Sequence, residues 1–180
     1  MAITINGSGT ITGVSAGGLP DDSITAAELG TKTFVSYAVI CDQKSQGTSG
    51  GTFTSGAWRT RDLNTETSDA VGIVSISSNQ FTLAAGNYLI KASAPARNVE
   101  KHQPRLYSVT DSASVQVGQT GHTGSNNNFY VSVFARVSPT GLHTYEIQHR
   151  CSSSNNGTGF GENANLDVEK YTVVEIYKEA

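Results

Sequence analysis

Residues 128–137 read NFYVSVFARV, and their alternation decides the fold class. Phe129, Val131, Val133, Ala135 and Val137 fall on one side of an extended chain and Tyr130, Ser132, Phe134 and Arg136 on the other. That is the period of two expected of a half-buried β-strand. Residues 142–151 (LHTYEIQHRC) repeat the pattern, with His143, Tyr145, Ile147, His149 and Cys151 on one side and Thr144, Glu146, Gln148 and Arg150 on the other. Residues 33–42 (TFVSYAVICD) are apolar on both faces, which predicts a strand covered by the core on one side and by something else, such as a neighbouring subunit, on the other. Further strands are expected at 58–63, 71–76, 81–84, 88–94 after the Ala85-Gly86-Asn87 turn, 105–109 and 171–178. Nowhere does a helical period persist. So many short strands separated by turn clusters point to an all-β, antiparallel jelly-roll β-sandwich.

Composition agrees. Only 15% of the 180 residues are charged and 19 are glycine, the profile of a β protein with many polar turns. The net charge is −3 with twelve scattered lysines and arginines, so no cationic footprint for nucleic acid or anionic lipid is expected. No apolar run reaches the roughly twenty residues of a membrane-spanning helix. Cys41 and Cys151 are too few for a disulfide framework; two small buried thiols are expected, with one long-range disulfide as the alternative.

The first thirty residues, MAITINGSGTITGVSAGGLPDDSITAAELG, read differently. Asn6-Gly7 supplies the turn of a small hairpin between Ile3-Thr4-Ile5 and Thr10-Ile11-Thr12. Thr25 and Glu28 have capping-box spacing for one helical turn that stops at Gly30. Neither element is stable alone in water, so the segment is expected to be held by another chain through Ile3, Ile5, Ile11, Leu19, Ile24 and Leu29. It also lacks the basic and apolar regions of a secretory signal, and none is expected. The division expected is an N-terminal arm over 1–32 and a sandwich over 33–180.

Two resemblances add to this. INGSGTITG, GLP and DSITAAEL resemble N-terminal segments of bacteriophage tail-fibre and other virion-appendage proteins, which attach an appendage to a particle. That resemblance implies a structural protein on the virion surface, made in the host cytoplasm, with the arm docked on a capsid or tail protein. The run FVSYAV, AWRTRDL, FTLAAGNYLIKASAPA, RLYSV, NFYVSVFARV, HTYEIQHRC and YTVVEIYK resembles the jelly roll of tumour necrosis factor and the complement globular head. It implies a homotrimer. The face then expected at the subunit interface carries Tyr37, His143, Tyr145, Ile147, His149, Tyr171 and Tyr177. The polar Lys178-Glu179 close departs from that family's apolar final strand.

No catalytic constellation is expected. Gly47-Thr48-Ser49-Gly50-Gly51 resembles a serine-protease nucleophile loop, but Thr48 stands where an Asp is needed and the first histidine comes only at His102. Gly157-Thr158-Gly159-Phe160-Gly161 echoes a phosphate loop without a following helix. His143 and His149 are too far apart along a strand to share one ion, and neutral histidines packed on tyrosines are expected, with no metal and no cofactor. What remains is binding through loops rich in Ser, Gly, Thr and Asn over residues 43–55, 119–128 and 152–161. Ser49, Trp58, His122, Asn126, Asn127, Asn156 and Phe160 are the candidate ligand-facing residues, for a glycan or protein on a host surface. The expectation is a trimeric fibre, spike or capsid-decoration protein, without enzymatic activity and without nucleic-acid or membrane partners. The alternative is a free lectin-like or signalling module.

Overall fold

The computed structural model describes residues 33–124 and 126–180. The expected arm, with Ile3, Ile5, Ile11, Leu19, Ile24 and Leu29, lies outside them. The described residues form twelve strands and no helix: β1 (Phe34–Lys44), β2 (Arg59–Thr60), β3 (Thr65–Asp69), β4 (Val74–Ser77), β5 (Gln80–Leu83), β6 (Tyr88–Arg97), β7 (Glu100–Ser108), β8 (Ala113–Val117), β9 (Gly121–Thr123), β10 (Asn128–Val137), β11 (His143–Cys151) and β12 (Glu169–Glu179).

All pairings are antiparallel. The first sheet runs β10-β6-β12-β1-β3, and the second runs β4-β5-β11-β7-β8 with β2 added to β11 and β9 to β7. Among the principal strands the pairs nest: β1 with β12, β5 with β11, β6 with β10, and β7 with β8. First pairs with last and each inner strand with its mirror partner, as when one long hairpin is rolled up. The fold is a jelly roll.

Alternation places the core between the sheets. Val131, Val133, Ala135 and Val137 of β10 point inward and are buried, against Ile40, Ile90, Val174 and Ile176 of the same sheet and Phe81, Leu83, Leu106 and Ile147 of the other. Phe129, expected on that inner face, lies at the open end of the sandwich and is 46% exposed. A smaller cluster at the same end joins Phe53, Ala96, Val99 and Cys151, with Phe160 packed against it. Cys41 and Cys151 are buried free thiols. The chain changes sheets between β6 and β7 through Asn98 and Glu100, whose φ angles of 50° and 58° turn the backbone at a cost that Asn tolerates better than most residues.

Three strands escape sequence reading. Residues of β3 (TETSD) and β8 (ASVQV) carry no apolar alternation because they lie at sheet edges and bury little, and β9 (GHT) is three residues long with a buried glycine and threonine in place of apolar side chains. Of the strand expected over 58–63, Arg59–Thr60 pair with β11, and the Arg61 side chain falls on the inward side.

Arg61 is fully buried. Its backbone N–H donates to Ile147 of the second sheet at 2.8 Å, while its guanidinium donates to Thr172 Oγ1 on β12 at 2.7 Å, to the Pro95 carbonyl on β6 at 3.2 Å and to the Phe160 carbonyl at 3.0 Å. The Phe160 ring lies 4.1 Å from the guanidinium carbon. Burial pushes its pKa down to about 10, opposed by the charges of Asp42 and Asp62, so it remains cationic at neutral pH. Those carboxylates are in turn tied to Lys44, at 3.0 Å from Asp42 and 2.8 Å from Asp62. Replacing Arg61 with Ala should cost on the order of 3–5 kcal/mol, since two buried acceptors and a partly buried one lose their donor and a cavity remains. Arg61→Lys should recover less than half of this, because one ammonium cannot span acceptors on three segments. Urea unfolding midpoints measure both, and an unchanged midpoint in Arg61→Ala would remove this residue as a tie between the sheets.

Candidate functional site

The outward faces of the two sheets differ in chemistry. On the first sheet Tyr37, Tyr130 and Phe134 are each more than half exposed. Tyr37 and Tyr177 sit opposite one another across β1 and β12, their rings stacked with centroids 6.4 Å apart, and Phe34 packs on Tyr177 at 5.3 Å. The charges on this face are already paired: Lys91 with Glu175 at 3.0 Å, and Arg136 with Glu179.

The second sheet presents polar and cationic side chains. Lys101, Gln103, Arg105 and Tyr107 occupy the outward positions of β7, and Arg150 and Gln148 of β11 lie opposite Gln103 and Arg105. Between Trp58, Lys101, Gln103, Thr120, Arg150 and Ser152 lies a cleft of about 350 Å³, with His102 and Cys151 beneath it. The Arg105 guanidinium lies 4.2 Å from the Trp58 ring and 4.8 Å from Tyr107, and donates to Gln148 Oε1 at 2.8 Å. An indole held in this way is fixed in orientation.

Under the cleft two imidazoles meet in the interior. His102 Nδ1 and His149 Nε2 share a hydrogen bond of 3.0 Å, while His102 Nε2 and His149 Nδ1 have no partner. Burial, then the charge of Arg61, pushes the His102 pKa down to about 4 and that of His149 well below the ordinary imidazole range. Phe53 packs on His149 at 4.8 Å. A Cβ on Gly121 would fall 2.6 Å from His102 Nε2 and 2.6 Å from Val131 Cγ1, so only glycine lets β9 close over this ring.

The expected site residues separate accordingly. Tyr37 and Tyr177 lie together on the first sheet's outward face. Tyr145, Ile147 and His149 do not join them, because they point between the sheets and are covered by this chain's own side chains. This corrects their expected place at a subunit interface: side chains used for the core are not available to a second copy. Tyr171 is also buried, its hydroxyl donating to the Thr48 carbonyl at 2.8 Å, and His143 sits at the start of β11, 2.7 Å from Asp111. Among the loop residues, Ser49 accepts from Asn163 Nδ2 at 2.9 Å, and Phe160 is sandwiched between Phe53 and Arg61. Both hold loops in place rather than face a ligand. Asn126 is tied to Asn98 and Arg97, whereas His122, Asn127 and Asn156 are exposed. Only Trp58 of that set lines the cleft. Lys101, Gln103, Thr120, Arg150 and Ser152 escaped the sequence reading, although the alternation of Lys101, Gln103 and Arg105 with buried His102, Pro104 and Leu106 marks one polar strand face.

No protein-family model matches the sequence, and no curated protein matches it. Among solved structures the chain is similar to the globular domain of the zebrafish complement 1qA protein, at 17% identity and a TM-score of 0.48 over 79% of this chain and 95% of that one. It is also similar to murine APRIL, at 7% identity and a TM-score of 0.47 over 79% and 98%. The nested strand pairing by itself establishes the jelly roll.

The buried imidazoles set a pH dependence. Their folded pKa values lie below the unfolded value of 6.5, so above pH 6.5 both states are neutral and nothing is gained or lost. As pH falls below 6.5 the unfolded chain takes up protons that the folded chain refuses, and stability drops until the folded pKa of about 4 is reached. For His102 alone the loss is on the order of 3 kcal/mol. Denaturant midpoints measured from pH 7 to pH 4 should fall in the natural chain and fall less steeply in the His102→Gln/His149→Gln variant; parallel curves would contradict this account.

Proposed function

We propose that this chain is the binding head of a homotrimeric attachment protein and is not an enzyme. The observation that carries the oligomer is the outward face of the first sheet. Exposed aromatics on β1 and β10, with the half-buried Tyr177 of β12 on the same face, are unusual on a monomer, and the charges among them are already neutralised within the chain, so covering the face would strand no ion. The three-fold count is supported by the sequence resemblance of residues 33–180 to tumour necrosis factor and complement heads. A trimer brings three equivalent heads to one anchor, so that weak contacts add through effective concentration.

The finer reading places the head on a phage particle, as a fibre, spike or capsid-decoration protein. Residues 1–32 dock on a capsid or tail protein, and the sandwich faces outward toward a host-surface glycan or protein. Its support is the resemblance of INGSGTITG, GLP and DSITAAEL to appendage segments. A free lectin-like or signalling module is the competing reading.

Sedimentation equilibrium of the full chain should give three times the 18.9 kDa chain mass. Tyr37→Glu combined with Phe134→Glu should shift it to monomer, with an association constant lowered at least about tenfold, and without loss of far-ultraviolet dichroism. A monomeric natural chain would overturn the oligomer. Immunogold labelling of particles from the source should mark the capsid or the tail; particles without label would leave the free module as the better reading.

A further inference from the structure

We propose that the cleft on the outward face of the second sheet binds a carboxylate-bearing sugar ring, the repeating unit of an acidic polysaccharide. This rests on the reading of the chain as an attachment head and names the ligand class that the head would take.

Four properties of the cleft point there. Its volume of about 350 Å³ falls within the roughly 300–1,000 Å³ of small-molecule clefts. Lys101 and Arg150, both exposed at its rim, form no salt bridge among the described residues, whereas Lys44, Lys91, Arg97 and Arg136 each pair with a carboxylate. In a chain of net charge −3, two cations without a carboxylate partner on one cleft set a positive potential there. Trp58, stacked on Arg105, offers the flat apolar surface on which the C–H face of a sugar packs. Gln103 Nε2 is committed to the Gly118 carbonyl at 2.9 Å and the Thr120 hydroxyl at 3.2 Å. That leaves its carbonyl oxygen, with the proton of the Thr120 hydroxyl, to meet sugar hydroxyls, while the Ser152 hydroxyl is held by the Lys101 N–H at 3.0 Å.

The same inventory argues against other anions. A nucleic-acid backbone needs a track of cations, and beyond this cleft most basic side chains among the described residues are paired or stacked. Glu100 accepts from Ser152 Oγ at 3.3 Å, which sets a negative charge at one rim and disfavours a densely sulfated polymer. A neutral sugar would leave Lys101 and Arg150 without a counter-charge. One carboxylate on one ring fits what is there.

The chain has a single tryptophan, so its indole fluorescence and indole N–H resonance report on this cleft alone. Titrating the full chain with methyl β-D-glucuronide and with methyl β-D-glucoside compares two ligands that differ only at C6. The glucuronide should give a saturable response and the glucoside one at least about tenfold weaker. Lys101→Gln with Arg150→Gln, both at exposed positions, should erase that preference while the fold persists by circular dichroism. Equal binding of the two sugars, a response reproduced by sodium acetate, or no saturable response would each overturn the proposal. Sedimentation on the same samples separates it from the oligomer: a trimer that ignores the glucuronide sinks the ligand class alone, and a monomer that binds it sinks the trimer alone.

Discussion

A single buried guanidinium ties this sandwich together. Arg61 leaves the edge of the second sheet, crosses the interior and hydrogen-bonds to Thr172 on β12, Pro95 on β6 and the Phe160 carbonyl in the loop that follows β11. Hydrophobic contact between two sheets is non-directional and tolerates sliding. A planar, five-donor group held by acceptors on three separate segments does not. Its position also explains why the loop containing Phe160 packs inward: that ring covers the cation on one side while Phe53 packs against it.

With the interior fixed in this way, the two outward faces are free to differ. The first sheet turns aromatic side chains and neutralised ion pairs outward, a surface suited to being covered. The second turns out cations, amides, hydroxyls and one clamped indole, a surface suited to a polar ligand. Between the second face and the core lies the His102–His149 pair, with two ring nitrogens lacking partners. Buried neutral imidazoles of this kind cost stability in acid and give none at neutral pH. The close approach of Gly121 over His102 shows how tightly the strands pack around them.

Much of the sandwich was legible in the sequence because burial of one sheet face writes a period of two into it. NFYVSVFARV and LHTYEIQHRC fall on β10 and β11, where Val131, Val133, Ala135, Val137, Tyr145, Ile147, His149 and Cys151 are buried as read and only the residues at the strand starts, Phe129 and His143, are not. TETSD and ASVQV were not legible, since edge strands bury little and their hydrogen bonds are made by backbone that any sequence provides. The site was less legible still. Ser49 and Phe160 sit in loops of ligand-binding composition, yet they bond to Asn163 and Arg61. The cleft is instead built from strand residues, Lys101, Gln103 and Arg150, which in sequence are indistinguishable from an ordinary solvent face.

What the sequence determined by itself was the class of structure: an antiparallel β-sandwich, with the inward side of its long strands set by alternation, which is a local property of an extended chain. Only the tertiary structure decided that the inward histidine of β11 meets His102 rather than a second copy of the chain. It alone brought Trp58 beside Lys101 and Arg150, and sent an arginine with no apolar signature into the core. These depend on which strands become neighbours and in what register, and that is settled by long-range pairing, for which no short stretch of sequence carries the signal.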